Sequence, residues 1–143
     1  MAVKSVALVA HDHKKKELAA WVEKNQSYLE PMAIYATGTT GKLMAETLHR
    51  PVNRLLSGPL GGDQQIGAKI AEGEIDMLIF FWDPLEPMPH DPDIKALLRI
   101  AALWNVPVAC NLASADYLIR SPLIHEAYDE PRPDFSMHNS RKV

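Results

Sequence analysis

The eight residues 75–82, IDMLIFFW, constrain the fold more than any other stretch of the chain. Seven of them are apolar, and the run is short and rich in aromatic and branched side chains. Such a run reads as a strand covered on both faces, which belongs in a parallel sheet with helices above and below it. Four further runs read as strands: 5–10 (SVALVA), 32–37 (MAIYAT), a weaker one at 52–58 (VNRLLSG), and 106–110 (VPVAC).

The stretches between them carry helical spacing. Leu18, Trp21, Val22 and Leu29 share a face over 15–29, and Ile94, Leu97, Leu98, Ala101 and Trp104 share one after residue 91. Leu43, Met44, Thr47 and Leu48 suggest a short helix after a GTTG turn, Ile66 and Ile70 sit four apart, and SADYLIRS reads as a short helix capped by Ser114. Strands alternating with helices imply right-handed crossovers. The expected fold is therefore α/β and Rossmann-like: three layers, with a five-stranded, mostly parallel sheet and helices on both faces. At 143 residues the chain suits one domain, 1–143, with a polar, proline-broken tail from about residue 125.

Charge and composition narrow the function. A net charge of −3 gives no global attraction to nucleic acid or to an acidic membrane. The apolar run before HDHKKK is too short for the core of a signal peptide, and no run approaches the ~18 residues of a membrane span. The single cysteine, Cys110, forms no intrachain disulfide and reads as a core residue. These features together point to the cytoplasm. The three tryptophans, Trp21, Trp82 and Trp104, read as core residues too.

Function concentrates in the loops that follow the strands: HDHKKK, TGTTG, SGPLGGDQQ, DPLEPMPHDPD and NLASAD. In a parallel α/β sheet these lie on one edge, where ligands bind. The residues Thr37, Gly38, Thr39 and Thr40 offer hydroxyls and backbone N–H groups at a helix start, which suits a phosphate. Ser57 and Gly58 can do the same from the next loop, and Lys14, Lys15 or Lys16 can supply positive charge. The nucleotide-binding patterns G-x-x-x-x-G-K-[ST] and G-x-G-x-x-G are absent.

Several residues stay open between a bland and a chemical reading. Asp63 is either a helix cap or a base facing a substrate. His90 is either an exposed loop histidine before a helix capped by Asp91, or a hydrogen-bond donor to a substrate oxygen. The positive end of a helix dipole disfavours protonation of a histidine placed there, and a neutral imidazole can polarise a carbonyl. Asp12 can cap the helix that begins near His13, and Asp83 can be a turn acid. No HExxH and no Cys–His spacing supports a metal, so none is expected.

The strings ALVAHDHKK, YATGTTG, LSGPLGGDQQIGA, DMLIFFWDPL, PHDPDIKALLRIA and NVPVACNLASAD together resemble the methylglyoxal synthase family over about residues 5–122. The resemblance implies a carbon–oxygen lyase that converts dihydroxyacetone phosphate to methylglyoxal and inorganic phosphate, with no cofactor and no metal. It implies Asp63 as the catalytic base, His90 and Asp93 as assisting residues, and Asp83 as a further active-site acid. It implies His11 and Asp12 as substrate contacts. It also implies Lys15, Thr37, Gly38, Thr39, Thr40, Ser57 and Gly58 as substrate and phosphate contacts. A homohexamer inhibited by phosphate, serving as a bypass of glycolysis, comes with the same resemblance. Two other readings use the same loops: a non-catalytic module sensing a phosphorylated metabolite, as in the regulatory domains of large carbamoyl-phosphate synthetases, and a sugar-phosphate isomerase.

Overall fold

The computed structural model describes residues 3–126 and 133–140, so much of the tail after about residue 125 lies outside the described residues. Its strands are β1 (Ser5–Ala10), β2 (Ala33–Thr37), β3 (Asn53–Leu55), β4 (Met77–Phe81) and β5 (Val108–Ala109). The helices are α1 (Lys15–Lys24), α2 (Gln26–Leu29), α3 (Gly38–Leu48), α4 (Gly62–Ala71), α5 (Asp91–Leu103), α6 (Leu112–Ile119) and α7 (Ser136–Asn139). Single 3₁₀ turns span Asp12–Lys14, Gly58–Leu60 and Pro122–Ile124.

All four strand pairings are parallel, so the mostly parallel sheet expected from sequence is wholly parallel, in the order β3-β2-β1-β4-β5. β1 sits at the centre, with Leu8 opposite Ala36 on one side and Ile79 on the other. The chain builds outward from β1 to β3 and then returns to lay β4 on the opposite side of β1. The order therefore reverses between β1 and β4, where α/β sheets open a crevice beyond the carboxyl ends of their strands.

Alternating side chains of the central strands feed two separate cores. Val6, Leu8, Ile34, Met77, Ile79 and Phe81 pack with Leu18, Trp21 and Val22 of α1, Met44 of α3 and Ile119 of α6. Ala7, Val9, Leu78 and Phe80 pack with Ile66 and Ile70 of α4 and with Ile94, Leu97 and Ala101 of α5. Both faces of β4 are thus filled, as its unbroken apolar run requires, and each large side chain so buried contributes about 1.5–3 kcal/mol. Trp21 is buried, whereas Trp82 and Trp104 are half-buried against the second core. Cys110 lies just past β5 and is half-buried.

Several local expectations need correction. The helix read over 15–29 breaks at the buried Asn25, whose Nδ2 donates to the Trp21 carbonyl at 2.8 Å and competes with the helical ladder. GTTG is the first turn of α3 rather than a turn before it. β3 covers 53–55 rather than 52–58, because the Leu56 N–H leaves the sheet to donate to Gln65 Oε1. β5 is only two residues long, since the Val106 N–H is still bound to the end of α5 at the Ala101 carbonyl. β4 stops at Phe81, the Trp82 N–H turning back to the Phe80 carbonyl. Ser114 caps nothing: Asn111 is the cap of α6, and its side chain accepts from the Ser114 N–H.

Candidate active site

A cavity of about 230 Å³ opens at the reversal between β1 and β4. Its wall combines the loops after β1, β2, β3 and β4, and among the described residues none after β5 reaches it. The sequence-selected residues His11, Asp12, Lys15, Thr37, Gly38, Thr39, Thr40, Ser57, Gly58, Asp63 and His90 all line it. Asp83 and Asp93 do not.

One wall is built to meet an anion. α3 starts directly from β2, and no side chain caps its first turn. The first N–H groups of a helix have no partner within the helix, and the residues that carry them, Gly38, Thr39 and Thr40, line the cavity with the positive end of the helix dipole. Gly38 begins the turn at φ +48°, and a Cβ there would sit 2.9 Å from the Ser57 Cβ. Only glycine lets the β2 and β3 loops close this wall. Thr40 is buried, with Oγ1 donating to the Ala10 carbonyl. Lys15 completes the wall from the start of α1: its Nζ donates to Thr39 Oγ1 and pairs with Asp12 Oδ1 at 2.6 Å. That contact, with the Lys15 charge, holds the Asp12 carboxyl below the usual carboxylate range. Asp12 therefore binds Lys15 instead of capping a helix.

The opposite wall carries the ionisable groups. Asp63 is the second residue of α4, two past the capping position at Gly61, so the capping account of Asp63 fails. Its side chain is 1% exposed, and neither carboxylate oxygen has a hydrogen-bond partner among the described residues. Burial pushes its pKa up; the nearby His90 opposes that shift and Asp93 adds to it. His90 is buried rather than exposed and occupies the position before α5, with Asp91 as the first helical residue. Its Nε2 lies 3.7 Å from Asp63 Oδ2.

His11 stands between the walls, edge-on to Phe80 and to His90. The Asp83 N–H donates to its Nδ1 at 2.9 Å. A backbone N–H can only donate, so Nδ1 carries the lone pair and the proton of the neutral ring sits on Nε2. That Nε2 is buried without a partner among the described residues. Burial, followed by the neighbouring His90, lowers the pKa of His11 and favours this neutral form.

Asp83 thus touches the site through its backbone. Its carboxylate turns away to accept from Leu85 N–H and to meet His13. The first of these contacts is the main reason its pKa is lowered. The Asp93 N–H donates to the His90 carbonyl at 2.9 Å, and the Asp93 charge helps raise the pKa of Asp63. Sequence reasoning missed Val9, Ala10, Pro59, Phe80 and Met88, which also line the cavity. Strand alternation could have found Val9 and Phe80, whereas nothing in the local pattern marks Met88.

The shape of the chain and its sequence agree with proteins already described. Residues 17–110 match the family model of the MGS-like domain. The methylglyoxal synthase of Hahella chejuensis is 65% identical over 141 residues, spanning 99% of this chain and 92% of that protein. That of Saccharophagus degradans is 61% identical over 98% of this chain and 91% of its own. The crystal structure of methylglyoxal synthase from Elizabethkingia anophelis superposes with a TM-score of 0.91 at 48% identity, covering 99% of this chain and 93% of that one.

Proposed function

Since the chain belongs to the methylglyoxal synthase family, we propose that it is a carbon–oxygen lyase converting dihydroxyacetone phosphate to methylglyoxal and inorganic phosphate. The observation that carries this reading is the Asp63 carboxylate, buried and without a hydrogen bond, opposite an uncapped helix start with a lysine beside it.

The phosphate of the substrate rests on the amides of the first turn of α3, on Thr39 and on Lys15, displacing Asp12 from that lysine. The carbonyl then lies toward the histidines. Asp63 removes a proton from the hydroxymethyl carbon, a task that suits a carboxylate with a raised proton affinity. Charge moves to the carbonyl oxygen, and His11 Nε2–H is the donor already oriented toward the cavity. His90, within reach of Asp63, passes protons between the carboxylate and the substrate oxygens. The enediolate collapses, its electron pair expels the phosphate from the far carbon, and the enol released becomes methylglyoxal. Each turnover breaks one C–O bond and consumes no oxidant, reductant or cofactor.

Asp83 enters as a positioning residue, through the N–H that sets the His11 tautomer, and Asp93 through its charge on Asp63. On the same reading the chain works in the cytoplasm as a homohexamer and diverts triose phosphate from glycolysis; the family resemblance supports this. The test is incubation with dihydroxyacetone phosphate, following methylglyoxal and free phosphate together. Equal release of the two is expected. Aldose phosphate without free phosphate would mean an isomerase, and tight binding without product would mean a sensor.

A further inference from the structure

The rim of the cavity carries a second cluster of side chains, whose ionisable groups the reaction leaves unused. His13, in the turn after β1, directs Nδ1 at two carboxylates of the loop before α5: Asp83 Oδ2 at 3.2 Å and Glu86 Oε2 at 2.9 Å. The three ligand atoms all lie within 4.8 Å of one another. One ring nitrogen carries at most one proton, so it can satisfy only one of the two oxygens well and leaves like charges facing each other. A divalent ion would satisfy all three atoms at once. Ligands at ordinary zinc distances of about 2.0–2.2 Å stand roughly 3–3.5 Å apart around a tetrahedral ion, close to the two His13 contacts here.

We propose that His13, Asp83 and Glu86 form a rim site for a divalent transition metal of the zinc type, outside the groups that react. An imidazole with two carboxylates is a donor set such ions favour, whereas magnesium and calcium prefer oxygen alone. Asp83 provides the fixed corner: its side chain is 11% exposed, and its Oδ1 is oriented by the Leu85 N–H. His13 and Glu86 are open to solvent, at 68% and 53%, which leaves an entry path and room for water as a fourth ligand. Motif spacing could not show this set, because His13 and Asp83 are 70 residues apart. A bound ion would tie the turn after β1 to the loop that carries Met88 and His90, and so restrain one wall of the cavity.

The test is calorimetric titration of the full chain with zinc chloride in a buffer that does not chelate it. One site per chain with a micromolar dissociation constant is expected, together with a rise in melting temperature. Glu86→Gln and His13→Ala, both at exposed positions that the fold tolerates, should each weaken binding by roughly tenfold or more and abolish the rise. The chain's other histidines remain in both variants. Zinc binding equal in parent and variants, or no saturable binding at all, would overturn the proposal. None of these measurements reads turnover, so they are independent of the activity proposed above.

Discussion

Asp63 is charged where charge is poorly tolerated. Folding raises its pKa above that of a free carboxyl, because burial disfavours the charge. Between that value and its higher native one, the folded chain binds more protons than the unfolded chain. Stability therefore falls as pH rises through that window, and above it the ionised carboxylate is a standing cost. Asp63→Asn removes the charge and keeps the shape. Turnover should fall by roughly 10²–10⁴, while the unliganded variant should melt higher than its parent, read in a steady-state assay and a thermal melt. Normal turnover in this variant would contradict the role of base. The acid limb of the pH–rate profile should likewise lie above the ordinary carboxylate range. Gly58 offers a second test. A Cβ there would lie 3.1 Å from His90 Nε2 and 3.2 Å from both Asp63 oxygens, in the gap that the reacting carbon must approach. Gly58→Ala should abolish turnover with little change in melting temperature, whereas a loss of fold would show that the position is structural.

At the level of elements, the ends of helices decide more than their middles. Asn111 caps α6 through a 2.9 Å bond from the Ser114 N–H. Asn111→Ala should cost about 0.5–2 kcal/mol of stability, measurable by urea unfolding, and leave catalysis intact because α6 lies away from the cavity. Loops and caps are also where sequence reading reached its limit. β4 was legible because seven apolar residues in eight admit few alternatives, and α5 because its apolar residues repeat with the helical period. Asn25 was not legible as a break, since its effect depends on a carbonyl four residues earlier and on complete burial. Asn111 is not legible as the cap of α6, because nothing local shows which backbone N–H will point at which side chain. The capping account of Asp63 has a similar weakness: composition favours Asp at a helix start, but Asp63 stands two steps past the cap, where its side chain lines the cavity instead. The family resemblance names the loop residues; the sheet order explains why four of the five loops meet and the fifth does not.

At the scale of the whole molecule, the cavity should report on the fold through mass action. An anion bound by the first turn of α3 and Lys15 stabilises the native state, by about 2.7 kcal/mol at a hundredfold excess over its dissociation constant. Inorganic phosphate should therefore raise the melting temperature, and Lys15→Ala should blunt that rise. No shift at millimolar phosphate would count against the anion wall.

The central sheet also partitions the molecule in a way that bears on how such a protein can change. α1 and α3, which present Lys15 and the threonines, pack on one face, while α4 and α5, which present Asp63 and His90, pack on the other. Substitutions deep in one layer meet different neighbours from those in the other, and distant sites with no shared partners usually combine additively. Affinity for the phosphate and the rate of the chemical step can therefore drift apart under selection. Libraries confined to the α1–α3 layer should yield variants that differ mainly in KM, and libraries confined to the α4–α5 layer variants that differ mainly in kcat.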